Sequence, residues 1–238
     1  MGTLAGTMTT EQEKQEAARR SLLFVKDGYV VGLGTGSTAS YVINLLGERV
    51  REGLNILGIP TSVKSRDLAV RLGIPLTSFE ESPLIDVTID GADEINPALQ
   101  LIKGGGGALL REKIVASASR KVVIIADSSK QVTVLGKFPL PVEVVPFAEA
   151  LLIRRITALG ASVMVRRDQS DQPFVTDEGH HILDCSFGTI PDPHRLAEEL
   201  DRMPGLVEHG LFLDLTDVAL IGKETEIRAT KPSNRTPA

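Results

Sequence analysis

Residues 31 to 40 read VGLGTGSTAS, and this glycine-rich stretch decides how the first part of the chain folds. An apolar run precedes it and a helix-compatible run follows it, so it predicts a tight turn from a β-strand into an α-helix. The dinucleotide fingerprint G-x-G-x-x-G does not fit, because its third glycine would be misplaced at Gly36. The P-loop pattern does not fit either, because Ser37 and Thr38 follow Gly36 and no lysine is present.

The turn carries three hydroxyl side chains, those of Thr35, Ser37 and Thr38, at the predicted start of the helix. Unpaired backbone N–H groups and the helix dipole favour an anion at such a position, and a single phosphate suits it. The same residues are also typical of an ordinary Ser/Thr cap on a strand-to-helix turn. The loop alone leaves both interpretations open.

Composition and charge restrict the class of protein. The 238 residues are 42% hydrophobic and 24% charged, as in a soluble globular protein, and the net charge of -5 argues against a nucleic-acid partner. Cys185 is the single cysteine, which excludes an internal disulfide, and its apolar neighbours predict a buried position. No apolar run reaches the length of a membrane span and no targeting pattern is visible, so we expect no membrane partner, a cytoplasmic location and a disordered leader over about residues 1–10.

The first half of the chain alternates short β-rich runs with longer helix-compatible runs, which predicts βαβ units and a parallel sheet. The predicted strands cover residues 29–33, 55–59, 85–89 and 122–126. The predicted helices cover residues 11–26, 38–51, 63–72 and 108–119.

The pattern changes after Pro139, where proline-rich sequence leads into short strands and two helices. We expect helices at 148–159 and 193–203, short strands at 162–166, 174–176 and 181–184, and strands at 207–213 and 218–221 that return to the first domain. The predicted fold class is α/β, a Rossmann-like parallel sheet with a second, smaller α+β domain of the ferredoxin-like type. Residues 1–135 and 208–238 form the Rossmann-like catalytic domain in this prediction, and residues 136–207 form the small domain.

Polar loops follow the predicted strands of the first half. They read GTGSTA after the first strand, DGADEI at 90–95, LIKGGGGALLREK at 101–113 and ADSSKQ at 126–131. Because ligands of open α/β sheets bind beyond the carboxyl ends of the strands, these loops predict one crevice. Four consecutive glycines make sense where backbone approaches a ligand closely. Carboxylates beside lysines suit proton transfer next to a carbonyl, with the cation stabilising an enediolate.

Other interpretations of these residues stay open from the sequence. Asp90, Asp93 and Glu94 could form a divalent metal site. Residues 111–113 could be only the charged face of a helix, and Lys130 alone could be a surface lysine. The four histidines lie outside the predicted crevice, so we interpret them as surface or loop residues; they are His180, His181, His194 and His209.

Five motifs, in this order and at these spacings, closely resemble ribose-5-phosphate isomerase of type A. They are GLGTGSTA, DGADEI, KGGGGALLREK, ADSSKQV and LGKFPLPVEVVPFA, and the resemblance extends from about Glu11 to Lys223. It implies the two-domain fold, interconversion of D-ribose 5-phosphate and D-ribulose 5-phosphate in the non-oxidative pentose phosphate pathway, no metal and no organic cofactor. It also implies a homo-oligomer, either a dimer or a tetramer, with a small-molecule sugar phosphate as substrate.

The resemblance also assigns roles to residues. It makes Glu112 the proton acceptor, Asp90 and Asp93 the ring-opening and hydroxyl-proton partners, and Lys103 the electrophilic helper. The implied substrate contacts, besides Asp90, Asp93 and Lys103, are Thr35, Gly36, Ser37, Thr38, Gly91, Ala92, Gly104, Gly105, Gly106 and Lys130. Two features depart from the family pattern: Gly107 stands where members often have alanine, and the loop after Arg166 is more polar than expected.

Two rival functions remain at the level of sequence. One is another enzyme on this fold, such as a sugar-phosphate deaminase or a coenzyme A transferase; the deaminase would need a catalytic histidine near the carboxylates. The other is the sugar-phosphate effector domain of a transcription regulator, which would need a DNA-binding module where only one helix precedes the first strand.

Overall fold

A computed structural model describes residues 8–222 and 225–228, and most of the predicted leader lies outside them. The helices are α1 Thr10–Ser21, α2 Ser37–Arg51, α3 Val63–Arg71, α4 Leu109–Ser117, α5 Glu149–Ala158 and α6 Pro193–Asp201. The strands are β1 Tyr29–Leu33, β2 Ile56–Pro60, β3 Val87–Asp90, β4 Glu94–Ile95, β5 Leu101–Ile102, β6 Val122–Ala126, β7 Leu140–Val144, β8 Ser162–Val165, β9 His181–Ser186, β10 Leu206–His209, β11 Leu211–Phe212, β12 Val218–Ile221 and β13 Thr225–Arg228.

The large sheet has the strand order β13-β12-β6-β3-β1-β2. All neighbouring pairs are parallel except β12 and β13, which are antiparallel. Buried β-branched and leucine side chains on these strands pack against α1, α2 and α3 on one face, and Val115 of α4 packs with Ile59 and Ile85 in a separate cluster. Burying each such side chain contributes about 1.5–3 kcal/mol. The predicted parallel α/β sheet is therefore confirmed, and the loops after β1, β3 and β6 meet at one edge of it.

The smaller sheet is antiparallel, with the order β10-β7-β9-β8. Its strands and the helices α5 and α6 follow the chain order β-α-β-β-α-β, which is the ferredoxin-like arrangement. Apolar residues of β7, β9, α5 and α6 form its core, including Val142, Leu152, Leu183 and Leu200. The predicted smaller α+β unit is thus present. A third sheet of three short strands, in the order β11-β5-β4, adjoins the site described below.

Several predicted elements differ from the structure. No strand was predicted in the proline-rich segment before α5, but β7 lies there and pairs with both β9 and β10. Pro141 is tolerated because its pairing with β10 ends at Val142, so its missing N–H falls where that ladder stops. Residues 174–176 form one isolated bridge, Val175 to His181, rather than a strand.

The predicted strand at 207–213 is split in two by Gly210. Residues before the glycine pair with β7, whereas residues after it pair with β5. A Cβ at Gly210 would lie 2.3 Å from the Lys103 carbonyl oxygen, so only glycine fits this crossing.

The first helix begins at Thr10, and the Thr9 side chain caps it together with Gln12 in a capping box. The expected disorder over residues 1–10 is therefore wrong for Thr9 and Thr10. Among the described residues, no helix combines the length and the apolar character that crossing a bilayer requires.

Candidate active site

A pocket of about 250 Å³ lies at the carboxyl edge of the large sheet, where the predicted polar loops meet. Its lining residues are Thr10, Lys14, Thr35, Gly36, Ser37, Thr38, Gly91, Ala92, Asp93, Lys103, Gly104, Gly106, Glu112, Asp127, Ser129 and Lys130. Two predicted residues, Asp90 and Gly105, are not part of this lining but bond directly to residues that are. The structure thus brings all the predicted site residues together.

Lys103 occupies the centre of the charged part of the pocket and is almost fully buried. Its Nζ lies 2.6 Å from the Gly91 carbonyl oxygen, 3.0 Å from Asp90 Oδ2 and 3.4 Å from Glu112 Oε2. Burial alone would lower the pKa of Lys103, but the negative charges of Asp90, Glu112 and Asp93 outweigh it and raise the pKa. The ammonium group therefore stays charged and can stabilise a developing oxyanion.

Asp90 connects the lysine to the glycine-rich turn. Its Oδ1 accepts the N–H groups of Thr35 at 3.0 Å and of Gly91 at 2.7 Å, while its Oδ2 faces Lys103. A Cβ at Gly34 would lie 2.3 Å from Asp90 Oδ1, so glycine at this position permits the close approach of the two loops. Asp90 is 2% exposed and is not one of the residues that line the pocket.

Glu112 lies in the first turn of α4 and is also buried. Burial raises the pKa of Glu112, Lys103 lowers it, and the carboxylates of Asp90 and Asp93 raise it, so that the pKa lies at about 8. Its Oε2 accepts no hydrogen bond among the described residues, although the Lys103 ammonium lies 3.4 Å away. A buried carboxylate with a raised pKa and a free oxygen on a pocket wall has the features of a general base.

Asp93 and the glycine loop, residues 104–107, form the wall beside Lys103. The N–H of Gly105 donates to Asp93 Oδ2 at 2.7 Å, and a Cβ at Gly105 would lie 2.6 Å from Asp93 Oδ1. Gly104 and Gly107 have φ of 103° and 80°, which side chains rarely allow. Close approach therefore requires glycine at Gly105, and backbone conformation requires it at Gly104 and Gly107, whereas a Cβ at Gly106 would meet only Thr35 Cγ2 at 3.7 Å.

The start of α2 forms the opposite end of the pocket. Gly36, with φ of 106°, precedes the helix, and Ser37 and Thr38 begin it. The Nζ of Lys14 lies 3.3 Å from the Ser37 hydroxyl oxygen, and Lys130 lines the same pocket from the loop after β6. Two cations beside a helix N-terminus favour an anion such as phosphate.

The hydroxyl of Thr35 does not face the pocket in the way that the sequence suggested. It lies 2.7 Å from the Thr61 hydroxyl, 2.8 Å from that of Ser62 and 3.1 Å from that of Ser65. These hydroxyls form a hydroxyl cluster that joins the glycine-rich turn to the start of α3. Thr35 therefore lines the pocket with its other atoms, while its hydroxyl binds this cluster.

Four lining residues were not predicted: Thr10, Lys14, Asp127 and Ser129. Asp127 and Ser129 lie within the ADSSKQ motif, next to Lys130, so the motif could have indicated them. Thr10 and Lys14 lie on α1, before the first strand, where the rule about loops after strands gives no signal.

Two alternative interpretations of the acidic residues are wrong. The Glu94 carboxylate accepts the N–H groups of Gly136 and Phe138 at 2.7 and 2.5 Å, so it is turned away from Asp90 and Asp93 and forms no metal site with them. Glu112 is buried in the pocket wall, so it does not belong to a merely charged surface of α4.

Two of the four histidines differ from the surface or loop positions predicted for them, whereas His180 lies in the loop before β9 and the His194 side chain is 51% exposed. His209 is buried at the end of β10, where burial and the charge of Lys113 lower its pKa to about 3. His181 lies on β9, with its Nδ1 2.6 Å from Glu149 Oε2. Although the structure describes all four histidines, the pocket wall contains none of them.

Comparison with known proteins agrees with this geometry. The model of the family described as ribose 5-phosphate isomerase A (phosphoriboisomerase A) matches residues 57–226. A relative named ribose-5-phosphate isomerase A, from Nitrobacter hamburgensis, is 52% identical over 230 residues, which cover 94% of this chain and 99% of the relative.

Solved structures show the same likeness. Ribose 5-phosphate isomerase A from Methanocaldococcus jannaschii has a TM-score of 0.88 at 41% identity and covers 92% of this chain and 100% of its own. A D-ribose-5-phosphate isomerase in complex with phospho-erythronic acid has a TM-score of 0.90 at 39% identity, covering 93% of this chain and 100% of its own. The chain therefore belongs to the ribose 5-phosphate isomerase A family.

Proposed function

We propose that this pocket interconverts D-ribose 5-phosphate and D-ribulose 5-phosphate through an enediolate, with Glu112 as the base. The observation that carries the proposal is the buried Glu112 carboxylate 3.4 Å from the Lys103 ammonium, in a pocket whose other end suits a phosphate. The related isomerase solved with phospho-erythronic acid supports it, because that ligand is a phosphorylated acid whose carboxylate resembles an enediolate.

The proton steps balance with the residues that line the pocket. Glu112 removes the proton from C2 of the open-chain aldose, and the electron pair moves onto the C1 oxygen, whose negative charge Lys103 stabilises. Asp93 accepts the proton of the O2 hydroxyl and supplies a proton to O1. Glu112 then returns its proton to C1, which gives the ketose and restores both carboxylates.

The two aspartates divide the remaining work. Asp93 lines the pocket and can also exchange the protons that open the sugar ring. Asp90 contributes by holding the Lys103 ammonium and the turn at Thr35, since both of its oxygens are engaged in those contacts. Gly91, Ala92 and the glycine loop supply close backbone contact to the sugar.

The phosphate is bound at the start of α2 by Ser37, Thr38 and the backbone of Gly36, with Lys130 and Lys14 supplying positive charge. Charge-assisted hydrogen bonds of this kind are about twice as strong as neutral ones. Because the phosphate is unreactive, its binding fixes the register of the sugar against Glu112.

The proposal also covers the domain division, the assembly and location of the protein, and its need for cofactors. The chain is divided into a catalytic unit, residues 1–135 and 208–238, and a small unit, residues 136–207. It works as a homo-oligomer, a dimer or tetramer, in the cytoplasm, and needs neither a metal nor an organic cofactor. The alternating pattern of the chain and its family membership support these statements.

A coupled assay that detects ribulose 5-phosphate, run in the presence of EDTA, tests the function. We expect turnover of D-ribose 5-phosphate and none of free D-ribose. Absence of turnover would favour an effector-binding role instead, whereas turnover restored only by a divalent metal would overturn the proposed mechanism.

A further inference from the structure

The glycine loop, residues 104–107, is closed by one hydrogen bond of its own, from the Gly107 N–H to the Gly104 oxygen at 3.0 Å, and is supported from outside as well. Glycine loses more conformational freedom than any other residue when its backbone is fixed, and four in succession make this cost large. The loop nevertheless holds a defined conformation in which Gly104 and Gly106 line the pocket. Its carbonyl oxygens show what holds it: Nη1 of Arg166 lies 2.8 Å from the Gly104 oxygen and 3.2 Å from the Gly105 oxygen.

Arg166 is itself held firmly by the small antiparallel sheet. Its Nε and Nη2 donate to Asp184 Oδ2 and Oδ1 at 2.9 and 2.5 Å, which is a bidentate pair. The two side chains are only 14% and 21% exposed. Arg166 directly follows β8, and Asp184 lies within β9, so both are fixed by paired strands. The guanidinium is therefore a rigid donor that the small sheet presents to the loop.

Peptide geometry converts this contact into a constraint on the pocket. A carbonyl group and the N–H of the next residue share one plane and point in opposite directions. Fixing the Gly104 carbonyl on Arg166 therefore directs the Gly105 N–H to the other side, where it donates to Asp93 Oδ2 at 2.7 Å. Fixing the Gly105 carbonyl in the same way directs the N–H of Gly106, a pocket-lining residue, away from Arg166.

We propose that Arg166 is a positioning residue for the isomerisation, acting from the small sheet through the glycine loop on Asp93 and on the Gly106 N–H. A hydrogen bond to a carbonyl also polarises the peptide and strengthens its N–H as a donor. The inference rests on the proposed function, because it assigns these two groups to the reacting end of the sugar. It predicts that Arg166 affects turnover more than phosphate binding, since it contacts none of the phosphate-binding residues.

The test compares Arg166→Gln with Arg167→Gln. Arg167 is the neighbouring residue, is 53% exposed and donates to the Asp171 carbonyl oxygen, so its variant controls for loss of an arginine from this hairpin. We expect Arg166→Gln to lower kcat by about ten- to hundredfold, as for a misplaced reacting group, with the inhibition constant of inorganic phosphate nearly unchanged. Hydrogen–deuterium exchange of the segment 104–108 should become faster in Arg166→Gln. The exchange rate of the large sheet should stay unchanged.

A kcat and loop exchange in Arg166→Gln equal to those of Arg167→Gln would overturn the inference. Equal losses of turnover and phosphate binding would overturn it too, because they would indicate general damage. If Arg166→Gln does not fold, Arg166→Lys, which keeps the charge but has a single nitrogen, is judged by the same criteria. If the wild type itself is inactive, the proposed function fails, whereas the exchange measurement still decides whether Arg166 holds the loop.

Discussion

Lys103 and Glu112 form a buried pair in which Nζ and Oε2 lie 3.4 Å apart, and both side chains are at most 5% exposed. The Lys103 ammonium and the Glu112 carboxyl group thus lie side by side, and Glu112 Oε2 accepts no hydrogen bond among the described residues. Proton abstraction next to a carbonyl needs both, because the base and the stabilising cation act on neighbouring atoms.

The first prediction concerns the pH dependence of activity. Burial raises the pKa of Glu112 to about 8, so below this pH most of the free enzyme carries a protonated, inactive acid. We expect kcat/KM to increase with pH through this region, well above the ordinary carboxyl range, because only the ionised form accepts a proton. The profile is corrected for ionisation of the substrate phosphate, whose second pKa is about 6. A profile that is level from pH 5 to 9 would contradict the assignment.

The second prediction concerns Glu112→Gln. We expect kcat to fall by roughly two to four orders of magnitude, as for a positioned general base, with a nearly unchanged KM. Removing the carboxyl group should also change how the stability of the protein depends on pH. The native state holds a proton on Glu112 that the unfolded chain releases above its model value of 4.5, so the free energy of unfolding of the wild type falls as pH rises from there towards 8.

Glu112→Gln removes this dependence on pH. The melting temperature of the variant should therefore increase relative to that of the wild type as pH rises. Melting curves at pH 5, 7 and 9 measure the difference. An active variant, or a difference in melting temperature that does not depend on pH, would show that Glu112 is neither the base nor a strained buried acid.

The third prediction separates phosphate binding from support of the turn. Lys130→Ala should raise KM and weaken inhibition by inorganic phosphate by about tenfold or more, since charged hydrogen bonds contribute about 1.5–3 kcal/mol. Thr35→Val should instead destabilise the fold by about 0.5–1.5 kcal/mol, because it removes the hydrogen bonding of the Thr35 hydroxyl to the hydroxyl cluster. Inhibition by phosphate should change little in Thr35→Val. Equal effects of the two variants on phosphate binding would contradict this division.

The fourth prediction concerns the contact between Gly107, one of the two features that depart from the family pattern, and Phe174. A Cβ at Gly107 would lie 2.5 Å from two atoms of the Phe174 ring, and the φ of 80° there is also unfavourable for alanine. Gly107→Ala should therefore lower the urea midpoint, and should cost less in a Phe174→Ala background than in the wild type. A coupling free energy of about 0.5–3 kcal/mol is expected for residues in contact, and strictly additive effects would disprove the packing relation.

Part of the fold follows from the sequence because its signals are local. Strands β6 and β12 are uninterrupted apolar runs and β1 is an apolar run that contains one glycine, and the predicted bounds of all three match the structure. Strands β4 and β5 have two residues each, which is too short for any periodic signal. Strand β7 was missed because the prolines that flank and enter it favour loop when the neighbouring strands are unknown.

The candidate site divides in the same way. The residues that follow strands were found, since the edge of a parallel sheet collects them. The direction of the Thr35 hydroxyl was not, because Thr61 and Ser65, which bind it, are 26 and 30 residues distant in sequence. Lys14 and Arg166 were missed for a similar reason: tertiary packing brings α1 to the pocket and the end of β8 to the glycine loop, and no local pattern marks either residue.

The central claim is that Glu112 carries a proton between C2 and C1 of D-ribose 5-phosphate, and the fate of a C2 label tests it most directly. The substrate is labelled with deuterium at C2 and converted in ordinary water after dialysis of the enzyme against a chelator. The account predicts a primary isotope effect and partial loss of the label to solvent, because a carboxylic acid that holds the proton can exchange it with water. Complete retention of the label at C1 in every turnover would indicate a hydride shift and would contradict the account, as would turnover that needs an added metal.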